Sequence, residues 1–178
     1  MISNTAGKYL SFALLLFLFL LATLYANHYR FNVSNSYPPG LYQLLPPPEV
    51  YLKGDLVLFC PPEGPAMQLA LSRDYIKPGL CRGGFTPVIK KVMATAGDRI
   101  TLTDSIRIND APMIGYRILK TDRHQRPLPR LDSLTVPPDS VFLLSDHRPA
   151  DSFDSRYYGA VPVSQVKGLI RPVLTSGG

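Results

Sequence analysis

Cysteine is scarce in this chain: Cys60 and Cys81 are the only two. Neither has a Cys-x-x-Cys partner or a nearby histidine, and the three histidines, His28, His124 and His147, form no cluster. No metal-ligand spacing results, and neither a metal nor a cofactor is expected. Acidic residues are few as well. Asp and Glu number 13 against 19 Lys and Arg, for a formal net charge of +6. That surplus raises nucleic acid as a partner. The basic residues are scattered, however, and there is no RNA-binding aromatic motif, zinc-finger spacing or basic helix. No nucleic acid is expected, and a basic face beside anionic lipid accounts for the same charge. Internal repeats and low-complexity segments are also missing.

One stretch lacks charge altogether. Tyr9 to Ala26, YLSFALLLFLFLLATLYA, is preceded by Lys8 and followed by His28 and Arg30. It has about the length that spans a bilayer core as a helix. A cleaved secretory signal would carry a shorter apolar region, and Leu24-Tyr25-Ala26 is a poor small-x-small cleavage site. The sequence favours an uncleaved anchor. Flanking charge is nearly balanced, so the positive-inside rule orients it weakly. Either reading sends the larger C-terminal part out of the cytoplasm. The expected organisation is a short cytoplasmic segment 1–8, a transmembrane anchor or uncleaved signal 9–27, and a domain 28–178 outside. In an oxidising compartment Cys60 and Cys81 would bridge, closing a loop for about 3 kcal/mol. Two unpaired core thiols are the other reading.

What the chain has in abundance is proline and glycine, 18 and 13 residues spread along it. Short strands and turns follow, rather than a helical bundle. Strands are expected near Leu41–Leu45, at Asp55–Cys60 (DLVLFC), Val88–Ala94, Arg99–Thr103, Ile106–Asn109, Val141–Ser145 and in VKGLIRP. A short helix is expected within Ala66–Tyr75, and residues 121–138 read as a long surface connection. The fold class is mostly β: one N-terminal membrane helix, then a small antiparallel β domain.

Three segments carry candidate chemistry. NSYPPGLY holds Ser36, with Ser34 two residues earlier. VIKKVMA holds two lysines inside a strand. Alternation puts Val88, Lys90 and Val92 on one face and Ile89, Lys91 and Met93 on the other. Pattern alone does not choose which lysine is inside. A buried one loses part of its charge preference and can become a base near neutral pH. The third segment, SDHRPADSFDSRYYG, is dense in Asp, Ser and Arg. By itself it reads as a turn, but it directly follows a buried strand.

In this order, behind an apolar anchor, the three segments resemble the signal peptidase I family of Ser–Lys proteases. The resemblance implies a catalytic β domain of signal-peptidase type, with Ser36 as nucleophile and Lys90, first of the basic pair, as general base. It implies an oxyanion hole from the Ser36 N–H and the Ser34 hydroxyl. Asp146, Arg148, Ser152, Asp154, Ser155 and Arg156 match the last box. Ser152 would position the lysine, while Asp154 and Arg156 would pair to hold the loop, Asp154 acting on Lys90 more directly as a further role. Departures point to a branch. Tyr37 and Gly40 stand where leader peptidases usually have Met and Thr, Lys91 where they often have Arg, and His147 where they usually have Asn. Ser-x-Pro-x-Gly-Leu-Tyr is similar to the TraF branch, the peptidases of conjugative plasmid transfer. That implies a bacterial inner-membrane enzyme with its domain in the periplasm and a membrane-tethered precursor, a conjugative pilin, as partner beside inner-membrane lipid. Its products would be cleaved or cyclic. Two rivals stand beside this: a Ser-His-Asp site using His147, and a non-enzymatic membrane-anchored β scaffold of a secretion or pilus complex.

Overall fold

The computed structural model describes residues 3–34, 36–103 and 105–176. Met1 and Ile2 of the expected cytoplasmic segment, Asn35 of the NSYPPGLY box, and Gly177 and Gly178 lie outside the described residues. The chain opens in helix α1 (Ser3–Ala26). Within it, Ala6–Ala26 is 21 residues long, apolar enough to cross a membrane, and not buried by the rest of the protein. At 1.5 Å per residue it reaches about 30 Å, the thickness of a bilayer core. Leu10, Phe12, Leu15 and Phe19 are all exposed, as lipid-facing side chains would be.

The remainder is antiparallel β. The first strands are β1 (Tyr29–Asn32), β2 (Gly40–Leu44), β3 (Leu56–Phe59) and β4 (Val88–Thr95). A three-stranded meander follows: β5 (Arg99–Leu102), β6 (Ser105–Ile108) and β7 (Ala111–Arg117). The C-terminal part adds β8 (Leu134–Thr135), β9 (Ser140–Leu144), β10 (Val161–Pro162) and β11 (Val166–Thr175). Two short helices interrupt, α2 (Pro65–Ser72) and α3 (Ser155–Tyr158). Among the described residues, seven strands form one sheet in the order β1-β2-β11-β3-β4-β9-β10, and four form another in the order β7-β6-β5-β8.

Burial explains the apolar runs. In β9, Val141 and Leu143 pack with Val57, Phe59 and Val92, while Phe142 and Leu144 pack with Ile100, Ile106 and Val136. A strand covered on both faces needs apolar residues at successive positions, not alternate ones. β4 lies between β3 and β9, with Val57 opposite Lys90 and Leu144 opposite Lys91. Gly40 begins β2 at φ +150°, where a Cβ would sit 2.2 Å from the Leu174 carbonyl oxygen of β11. The glycine of the NSYPPGLY box therefore allows the strand carrying that box to join the sheet.

Cys60 and Cys81 form a disulfide. It closes the segment containing α2 over a cluster of Met67, Ala70, Ile76 and Phe85. Elements unanticipated from sequence are small or marginal. β1 and β10 are short edge strands, β7 begins Ala-Pro and contains Gly115, and α3 is a single turn. The 121–138 connection is mostly irregular, organised by Asp122, whose carboxylate accepts the N–H groups of His124 and Arg126 at 2.8 and 2.9 Å.

Candidate active site

Alternation on β4 is broken: Ile89 and Lys90 are both buried. Lys90 is 1% exposed. Its ammonium donates to Ser152 Oγ at 2.7 Å. Burial pushes its pKa down to about 8; Asp154 opposes this, while Arg156 and Arg148 add to it. The physical cause is the loss of water around a cation whose nearest bonded partner is a neutral hydroxyl. Lys91, on the neighbouring face, is about a third exposed and pairs with Asp146.

Ser36 and Lys90 line one small cavity of about 20 Å³, walled by Met67, Ile76, Val88 and Phe153. It has room for about one water-sized group. Ser36 also lines a larger open groove of about 540 Å³ that includes Asn32, Ser34, Val88 and Ser152. The small cavity adjoins this groove, sharing Ser36, Val88 and Phe153 with it.

The segment 145–156 is fixed by one buried ion pair. Asp154 and Arg156 side chains are wholly buried. Arg156 reaches the two carboxylate oxygens through Nε at 2.7 Å and Nη2 at 2.8 Å. Its remaining donors go to the carbonyls of Ser152, Pro149 and Arg117 at 2.9, 2.7 and 2.5 Å. A guanidinium with every edge used resists the desolvation that burial imposes. Asp154 also caps α3, accepting the Arg156 N–H at 3.3 Å. The Ser155 hydroxyl accepts the Leu143 N–H at 3.0 Å, joining α3 to β9.

The other expected site residues fall into two groups. Asp146 and Arg148 are on the same loop, and their described hydrogen bonds go to groups other than Lys90. Asp146 accepts Tyr37 Oη and pairs with Lys91. Burial pushes the Asp146 carboxyl up, yet its bonds from Lys91 and Tyr37 hold it below the usual range. Arg148 forks onto Asp151, Nε at 2.9 Å. Ser34 Oγ donates to Asn32 Oδ1 at 2.8 Å, so as an oxyanion donor it must exchange that acceptor. His147 is exposed, 6.0 Å from the Tyr37 ring between centroids. Among the described residues no hydrogen bond links it to Ser36 or to a carboxylate, and none of the His, Cys, Asp and Glu side chains form a metal-binding group of three.

Sequence reasoning missed Ser145. It is fully buried, and its hydroxyl donates to the Ser36 carbonyl oxygen at 2.7 Å. The signal available was a serine at the junction between a buried strand and a functional loop, where a polar side chain needs a partner.

Comparison with known proteins gives the family. The family model described as signal peptidase, peptidase S26, matches residues 4–174. The plasmid transfer protein TraF of Escherichia coli is 40% identical over 161 residues, covering 89% of each chain. The conjugal transfer protein TraF of Agrobacterium fabrum is 40% identical over 147 residues, covering 83% of this chain and 82% of that one. A crystal structure of a signal peptidase I from Enterococcus faecalis aligns with TM-score 0.40 at 22% identity, over 68% of this chain and 97% of the other. With one family matched along nearly the whole length and such relatives over most of theirs, the chain belongs to the signal peptidase family of serine peptidases, peptidase S26, and to its TraF branch.

Proposed function

We propose that this chain is a membrane-anchored Ser–Lys endopeptidase that processes the precursor of a secreted or pilin protein in conjugative transfer. The observation that carries the reading is Lys90: a lysine 1% exposed, hydrogen-bonded to a hydroxyl, on the same small cavity as Ser36. A structural lysine would be expected to extend to water or meet a carboxylate. One held dry beside a serine suits a base.

In this mechanism neutral Lys90 takes the Ser36 hydroxyl proton as Oγ attacks the scissile carbonyl. The Ser36 N–H and the Ser34 hydroxyl, turned from Asn32, donate to the oxyanion. Lys90 returns the proton to the leaving amine as the C–N bond breaks, leaving an ester on Ser36. Water, deprotonated by Lys90, then releases the acid. If the substrate's own amino terminus attacks the ester instead, the product is a cyclic pilin. Ser152 aims the lysine nitrogen, and the Asp154–Arg156 pair holds Ser152.

The apolar helix 9–27 would lie in the bacterial inner membrane, residues 1–8 in the cytoplasm, and the catalytic domain 28–178 in the periplasm. Ser36, ten residues past the end of α1, would then work close to the lipid surface, where a tethered precursor presents its site. Mass spectrometry of the precursor co-expressed with wild-type, Ser36→Ala or Lys90→Met chain tests this. Processing should disappear in both variants. A hydrolysed product retains the added water, whereas a cyclic one is lighter by one water. Normal processing by a folded Ser36→Ala chain would favour the scaffold.

A further inference from the structure

Two consecutive residues of the serine segment are bonded to two consecutive residues of the loop after β9. The buried Ser145 hydroxyl donates to the Ser36 carbonyl at 2.7 Å and accepts the Arg148 N–H at 3.0 Å. Its own N–H goes to Asp154 Oδ2 at 3.3 Å. One residue on, Tyr37 Oη donates to Asp146, and Lys91 pairs with the same carboxylate. The same loop supplies Ser152, which takes the Lys90 ammonium. Ser36 and Lys90 come from segments far apart in sequence, yet both are referenced to one loop, itself braced by Arg156.

We infer that Ser145 and Tyr37 are positioning residues that hold Ser36 in register with Lys90, through their hydrogen bonds to the Ser36 carbonyl and to Asp146. The inference rests on the Ser–Lys reading. Fixing the carbonyl of Ser36 and the side chain of the next residue fixes the peptide plane between them. The torsions that carry Oγ toward the lysine then have little freedom. Pro38 and Pro39 restrict the backbone on the far side. Lys91 keeps Asp146 an ionised acceptor, which makes the Tyr37 bond a charge-assisted one. The ring of Tyr37 also packs with Tyr42, Leu58 and Ile170. Tyr37→Phe therefore keeps the packing and removes only the bond.

The test uses full-length chain in detergent carrying Ser36→Cys. Both natural cysteines are in the disulfide, so the thiol at position 36 is the single alkylatable one. Its rate of reaction with iodoacetamide is measured across pH. An ammonium beside a thiol favours the thiolate, so Lys90→Met should move the profile to higher pH. Adding Ser145→Ala or Tyr37→Phe instead should move it part of the way toward the Lys90→Met profile, with the chain still folded. In the chain with Ser36 intact, each should lower kcat for the co-expressed precursor about tenfold or more, with KM within about twofold. If Lys90→Met leaves the thiol profile unmoved, the Ser–Lys reading itself fails. If Lys90→Met moves it and Ser145→Ala and Tyr37→Phe do not, the dyad stands and the positioning role is overturned. Should Ser145→Ala fail to fold, Tyr37→Phe decides.

Discussion

A lysine with a folded pKa near 8, against 10.5 for an ordinary one, opposes folding wherever the unfolded chain would hold the proton. That cost is fully present below about pH 8, shrinks between the two values and vanishes above the unfolded one. Its size is about 3 kcal/mol, partly offset by the bond to Ser152. Lys90→Met should therefore abolish processing while stabilising the domain at pH 7 by on the order of 1–3 kcal/mol. The gain should fade as the pH approaches 10.5. Urea denaturation of both chains at several pH values measures it, and a Lys90→Met chain less stable at pH 7 would contradict the assignment. Lys91 predicts a different outcome. It is part-exposed and paired with Asp146, so Lys91→Ala should keep a substantial fraction of wild-type activity. Which lysine lies inside was not legible from alternation, because β4 is covered on both faces and buries Ile89 beside Lys90. Only the likeness of IKKVMATAGD to a known box singled out Lys90.

The loop from Ser145 to Arg156 organises the site as an element. Its brace is an ion pair with both side chains fully buried. Arg156→Met leaves a buried carboxylate without its partner and three carbonyls without a donor. That should cost about 3–5 kcal/mol, visible as a lowered denaturation midpoint, and should reduce processing. A midpoint close to wild type would mean the pair contributes little. The sequence singled this loop out as a candidate segment, since six of its residues match a family box. Its contacts were another matter. Ser145 meets Ser36, and Tyr37 meets Asp146, across 109 positions of chain in each case. No local pattern encodes such a pair. Strands were legible where burial forces uninterrupted apolar runs, as in DLVLFC and VFLLS. β1, β7, β10 and α3 were not, being too short or too interrupted by Pro and Gly for any periodicity to register.

As a whole, the molecule combines an exposed apolar helix with a β domain whose one disulfide ties down the segment around α2. Cys60 and Cys81 are 21 residues apart, so Cys60→Ser with Cys81→Ser should lower stability by about 3 kcal/mol through the freer unfolded chain. Non-reducing peptide mapping of membrane-inserted protein should recover the linked peptides; two freely alkylated thiols would contradict an oxidising location for the domain. In the proposed mechanism the anchor, the groove and the Ser36–Lys90 dyad act together on a tethered substrate, so the central claim belongs to the intact enzyme. In the proposed mechanism neutral Lys90 precedes attack, so activity should rise with pH through a limb near 8. The most direct test is kcat/KM against pH for the full chain in detergent with an anchored precursor, for wild type and His147→Gln. The account predicts the same limb near 8 in both. A flat profile with chemistry limiting, or a limb that disappears in His147→Gln, would contradict it.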